Sequence, residues 1–161
     1  MIELVNISKS YPTNELYSNL DLRLNAGNKV GLVGRNGSGK STLFKLILGE
    51  EHPDSGEIAL PKNYKIGALK QYFDFTEKTL IEETALALGE DDKYNIYKAE
   101  KILFGLGFSQ EDLEKAPKEF SGGYQIRINL AKLLLTEPNM LLLDEPTNYL
   151  DILSIRWLKA F

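Results

Sequence analysis

The chain has 161 residues, 43% of them hydrophobic and 26% charged, which is enough for one globular domain. A formal net charge of −4 offers no overall attraction to nucleic acid, and the lack of cysteine excludes disulfides and thiolate metal sites. No apolar run approaches the ~20 residues that span a bilayer, and Met1-Ile2-Glu3 opens without the basic and apolar stretches of a secretory leader. The chain therefore reads as soluble and cytoplasmic, with no membrane segment.

Residues 2–7 alternate well enough to predict a strand. Tyr11-Pro12-Thr13-Asn14 is a turn, and residues 20–24 form the second strand of an antiparallel pair. Asn25-Ala26-Gly27-Asn28 is turn chemistry leading into residues 29–33, which read as a short buried strand. Next comes GRNGSGKS, residues 34–41, which satisfies the pattern G-x-x-x-x-G-K-[ST] at every fixed position. Gly34, Gly37 and Gly39 let the backbone turn tightly and expose successive N–H groups. Those donors, with the positive end of the helix that follows, suit phosphate oxygens. Arg35, Asn36, Ser38 and Thr42 complete the predicted nucleotide-binding loop. Lys40 reaches toward the β and γ phosphates, and the Ser41 hydroxyl is a hard oxygen ligand for Mg²⁺.

The helix over residues 41–48 should stop at Gly49. Pro53-Asp54-Ser55-Gly56 is another turn, residues 57–60 and 64–69 are short strands, and Gln71 lies just beyond the second. From about 72 to 120 the pattern becomes helical. Residues 79–88 form one helix. Residues 92–106 form another, with Ile96, Ala99, Leu103 and Leu106 as an apolar stripe. Ser109 to Asp112 resembles a capping box. This stretch holds twelve acidic side chains against six lysines, which argues against an RNA-binding surface here.

Phe120-Ser121-Gly122-Gly123 opens a further helix whose predicted apolar face is Ile126, Leu130, Leu133 and Leu134. Thr136 to Asn139 stops it. Met140-Leu141-Leu142-Leu143 is apolar on both faces, as a central parallel strand should be. Asp144 and Glu145 stand at its C-terminal end, where open α/β sheets place their ligands. Two adjacent acids there are costly without a nearby cation, which favours a metal–nucleotide site. Asp151 is suited to capping the last helix, residues 152–161.

The ordered set Tyr11, GRNGSGKST, Gln71, FSGGY and LLLDEPTNYLD resembles the ATP-binding cassette (ABC) superfamily over essentially the whole chain. The resemblance implies an α/β P-loop cassette: a mixed sheet core, an N-terminal antiparallel β subdomain and an inserted α-helical subdomain. The core would take residues 1–71 and 121–161, and the helical insert about 72–120. It implies ATP and Mg²⁺ as cofactors. Tyr11 would stack on adenine, although the residues alone leave it equally a turn aromatic. Gln71 would touch the metal and the attacking water. Asp144 would hold Mg²⁺ through water and Glu145 would polarise the attacking water. Ser121, Gly122 and Gly123 would contact the nucleotide of a second cassette, and Asp151 would communicate across that pair.

Within the superfamily, Asn148-Tyr149-Leu150-Asp151, Phe120 and Tyr124 are similar to the ABC-F branch. Members of that branch are soluble two-cassette ATPases acting on the ribosome. The alternatives are a transporter's ATP-binding subunit and a nucleotide-binding fragment without turnover. In the family, another strand ends in a switch histidine after the last helix. Neither appears before Phe161, and His52, the lone histidine, sits in a surface loop. The chain is thus expected to be the N-terminal, truncated part of a longer protein, with its last strands missing and two central strands left with open edges.

Overall fold

The computed structural model describes residues 1–69 and 74–160. It divides into two compact units, Met1–Ile66 and Gly67–Phe161.

The first unit is built on a hairpin. Strands β1 (Ile2–Tyr11) and β2 (Asn14–Leu24) pair antiparallel from Ile2 opposite Leu24 to Tyr11 opposite Asn14, leaving Pro12 and Thr13 as the turn. Ile2, Leu4 and Ile7 are buried. Strict alternation would set the third of these at residue 6, and an irregularity between Leu4 and Ile7 makes up the difference. Asn6 there has φ of 50°, and its N–H donates to Asp21 Oδ1 at 2.7 Å. Strand β3 (Ser55–Ala59) adds to the other edge of β1, giving the order β2-β1-β3. Gly56 sits against the same irregularity with φ of 86°, and a Cβ on it would lie 2.4 Å from the carbonyl oxygens of both Val5 and Asn6. Only glycine fits there.

Helix α1 (Lys40–Leu48) buries Leu43, Leu46 and Ile47. It ends as predicted, with Gly49 left-handed and its N–H donating back to Leu46 O. The run before the phosphate loop differs from expectation. Residues 29–33 form no strand, and Val30, Leu32 and Val33 are 66, 44 and 94% exposed. A strand exists only where a neighbour takes up its N–H and C=O groups. No described strand pairs with this run, so it passes as open chain.

The second unit packs helices α2 (Leu80–Ala85), α3 (Ile96–Gly105), α4 (Gly122–Leu135) and α5 (Ile152–Ala160) with a two-stranded sheet of β4 (Ile66–Ala68) and β5 (Met140–Leu142). Thr79 and Glu82 form a reciprocal capping box that starts α2, and Ser109 with Asp112 forms another. Leu80, Ala99, Leu103, Leu106, Ile128, Leu130 and Ala131 are fully buried in its core. Two expectations shift. Ile96 is exposed while Ile102 is buried, so α3 turns slightly from its predicted face. Helix α4 buries Arg127, Ile128, Leu130, Ala131, Leu134 and Leu135, leaving Ile126 and Leu133 half-buried. Strand β5 is also less enclosed than predicted. Leu142 is buried but Met140 and Leu141 are half-buried, because β4 is its only partner among the described residues.

Candidate functional site

In the first unit the phosphate loop is exposed over residues 34–38, turning at Asn36-Gly37 and ending on Gly39 and α1. Gly37 and Gly39 have φ of 81° and 95°, in the region glycine tolerates best. A Cβ on Gly34 would fall 2.5 Å from Ser38 Oγ. The Lys40 ammonium folds back over the loop, donating to Gly34 O at 2.8 Å and Arg35 O at 3.0 Å. The loop is further tied to β2 by the Tyr17 hydroxyl, which donates to Gly39 O at 2.7 Å. Ser41 is exposed and Thr42 half-buried on the first turn of α1.

Tyr11 stands at the end of β1, 42% exposed. Its hydroxyl donates to Glu51 Oε1 at 2.5 Å, and the Lys9 ammonium lies 5.6 Å from its ring centre. The bond to Glu51 raises the tyrosine's pKa and, reciprocally, lowers that of the Glu51 carboxyl. Lys9 also bridges to Glu51 at 3.3 Å and to Asp54 at 3.5 Å. Sequence reasoning passed over Glu51. Its partner is forty residues away, and only the pairing of β1 with β3 returns that loop to Tyr11.

In the second unit Ser121, Gly122 and Gly123 are exposed at the start of α4, with Ser121 extended at the N-cap and making no side-chain cap bond. Asp144 and Glu145 are exposed beyond the end of β5, with Leu143 between. Glu145 takes left-handed angles, φ 44° and ψ 52°, unusual for a non-glycine residue. Asn148 Nδ2 donates to Glu145 Oε2 at 2.8 Å. The asparagine that served only as a branch marker in the sequence thus restrains the candidate catalytic carboxylate. Its spacing, three residues on at a tight turn, is the signal that could have flagged it. Tyr149 is half-buried, and burial together with the charge of Asp144 pushes its hydroxyl up to about 12. Asp151 caps α5, accepting from Ser154 N at 2.8 Å, and pairs with Arg127 at 2.9 Å. The Ser154 amide, more than the arginine, lowers its pKa against the effect of burial. Gln71 lies outside the described residues.

The donor sets suit the implied groups. In the first unit a phosphate loop closed by an ammonium at a helix start suits a polyphosphate, and Ser41 carries a hard oxygen of the kind Mg²⁺ takes; in the second unit the Asp144 carboxylate is a donor of the same kind. Among the described residues no helix is long and apolar enough to cross a membrane, and none form a protein-only metal cluster.

Loop, helix and mixed α/β build define a P-loop nucleotide-binding fold. A family model described as "ABC transporter" matches residues 17–148, and the chain belongs to that family of ATP-binding cassettes. It is 41% identical over 162 residues to the energy-dependent translational throttle protein EttA of Escherichia coli (strain K12), covering 99% of this chain and 29% of that protein. It is 34% identical over 204 aligned residues to ABC transporter F family member 5 of Arabidopsis thaliana, covering 99% and 30%. The chain thus spans about 30% of the length of these curated relatives. Among solved structures, an ATP-binding subunit of an ABC transporter superposes with a TM-score of 0.78 at 26% identity, covering 98% of this chain and 71% of that one. The ATP-binding cassette MJ0796, a dimer bound to ADP and Pi, gives 0.72 at 25%, covering 98% and 79%.

Proposed function

We propose that this chain is the N-terminal cassette of an ABC-F ATPase that binds ATP with Mg²⁺, hydrolyses it together with a second cassette, and acts on the ribosome in translation. The observation that carries the nucleotide reading is the self-closed phosphate loop, with Lys40 drawn onto its carbonyls at the start of α1. The 41% identity to a translational throttle protein supports the branch. The likeness to a transporter's ATP-binding subunit favours a second reading, in which the same cassette drives a membrane partner.

In the proposed mechanism, backbone N–H groups of the loop and the Lys40 ammonium hold the phosphates, and Tyr11 meets the base. Ser41, Asp144 and Gln71 would hold Mg²⁺, which when bound neutralises charge on the phosphate oxygens. Glu145, restrained by Asn148, orients a water for in-line attack on the γ-phosphate and accepts its proton. Ser121, Gly122 and Gly123 present a hydroxyl and N–H donors to the nucleotide of the second cassette.

Titration with a fluorescent ATP analogue and Mg²⁺ tests the nucleotide reading. Saturable binding that Lys40→Ala weakens by about tenfold or more is the expected result, and equal binding by both forms overturns it. Co-sedimentation with ribosomes separates the two biological readings. The cellular protein carrying Glu145→Gln should pellet with ribosomes in MgATP and not in MgADP. Recovery with membranes instead favours the transporter reading.

A further inference from the structure

Arg127 is a buried cation in the middle of helix α4, and its contacts come from three separate stretches of chain. Its Nε donates to Tyr149 O at 2.8 Å. Its Nη1 donates to Leu106 O at 3.0 Å and to Asp151 Oδ2 at 2.9 Å. Its guanidinium carbon lies 4.6 Å from the centre of the Tyr124 ring, one turn nearer the helix start. Gly107 closes over it with φ of 88°, where a Cβ would come within 3.0 Å of Nη1 and 3.6 Å of Asp151 Oδ2. A planar, permanently charged fork suits this set of two carbonyls, a carboxylate and a ring, which a lysine's point charge could only partly serve.

The elements it joins matter more than the bonds. Arg127 lies six residues, about 9 Å of helix rise, from Ser121 at the helix start. Two of its partners, Tyr149 O and Asp151 Oδ2, belong to the turn that follows Asp144 and Glu145 and leads into α5, and the third, Leu106 O, ends α3. Asp151 in turn holds the first turn of α5 through the Ser154 amide. One side chain therefore ties together the two exposed segments that, under the function proposed above, a cassette offers to its neighbour.

We propose that Arg127 is a positioning residue that locks the 121–123 start of α4 and the 149–151 turn into one surface, presented as a unit to the nucleotide held by a second cassette. The inference rests on the MgATP reading, and Arg127 has no part in holding the chain's own nucleotide. Its loss therefore weakens pairing between cassettes while leaving binding at the chain's own phosphate loop intact.

The test compares Glu145→Gln with Glu145→Gln/Arg127→Lys. Fluorescent-ATP titration reads the chain's own site, and sedimentation velocity with MgATP reads self-association. Lysine keeps the charge but loses the fork, so the variant should bind nucleotide within about twofold of its parent and associate at least tenfold more weakly. Asp151→Asn in the same background is the second variant. Asparagine can still cap α5 but gives up the ion pair, so association should weaken by a smaller factor. It decides the matter if the lysine variant does not melt cooperatively. Unchanged association in the folded variants, or a parallel loss of nucleotide binding with Arg127→Lys, overturns the inference. A Glu145→Gln parent that binds MgATP but never associates overturns it too, leaving the binding reading intact. A parent that binds no MgATP is the separate failure of that earlier reading.

Discussion

Removing the carboxylate of Glu83 should destabilise the chain strongly, although Glu83 is remote from the phosphate loop in sequence and absent from every motif. The side chain is fully buried. Its Oε2 accepts from Thr76 N at 2.8 Å and Glu77 N at 3.0 Å, and its Oε1 receives the Lys132 ammonium. Glu83→Ala leaves all three donors without their acceptor. Deleting one member of a buried ion pair costs about 3–5 kcal/mol, because the other charge stays behind. Lys132 is partly exposed and can turn toward water, which sets the expectation near the lower end, about 3 kcal/mol. For a chain of this size that is a fall in Tm of roughly 6–12 °C. Urea denaturation followed by far-UV circular dichroism measures it. The combined Glu83→Gln/Lys132→Met variant should recover much of the loss, since a neutral, well-filled pair avoids the stranded charge. The pH dependence has a definite sign. Burial pushes the Glu83 carboxyl up, but Lys132 and the two amide N–H groups outweigh it and hold the carboxyl below its ordinary value of 4.5. A depressed folded value means the stabilisation is complete above about 4.5 and fades as pH falls through the folded value. The gap between parent and Glu83→Gln should therefore narrow on acidification from pH 6 to pH 3. A loss below about 1 kcal/mol for Glu83→Ala, with no coupling to Lys132, would refute the reasoning.

Four further outcomes are expected. Lys40→Ala should weaken MgATP binding by about 10- to 100-fold, the worth of a charge-assisted bond to phosphate, as read by analogue titration. Gly56→Ala should lose at least about 2 kcal/mol in urea unfolding, since its Cβ would strike two carbonyl oxygens at a positive φ. Tyr149→Phe should be neutral or stabilising by up to about 1 kcal/mol, because the buried hydroxyl has no hydrogen-bond partner among the described residues. Asp112→Asn should destabilise at pH 7, by an amount that shrinks as pH falls from 3.8 toward 2. The Lys115 ammonium, then the Ser109 N–H and hydroxyl, hold the Asp112 carboxyl down at about 2, so its contribution is present above 3.8 and vanishes as pH falls through 2.

Short-range grammar was legible in the sequence wherever the physics is local. The phosphate loop's glycines, Gly49 at the end of α1 and the Ser109–Asp112 cap all act within a few residues, and each was readable from spacing. The 29–33 run was not. Its apolar character advertises burial, but a strand depends on a neighbour supplied from elsewhere, and none of the described strands provides one. Arg127 was hidden for the opposite reason. Helical periodicity sorts arginine to the outer face, whereas its fork here satisfies carbonyls from two distant segments, which turns a charge into part of the core. Glu51 shares that blindness, since residue type alone does not reveal which distant partner the chain will bring alongside.

The self-closed lysine at the phosphate loop has a kinetic meaning. A free lysine surrenders about 2 kcal/mol of rotamer freedom when it is immobilised. At Lys40 much of that has already been surrendered to Gly34 and Arg35, two acceptors for an ammonium that carries three donors. An arriving polyphosphate thus meets a hand already raised, and the benefit should appear as slower departure of the nucleotide more than as faster arrival.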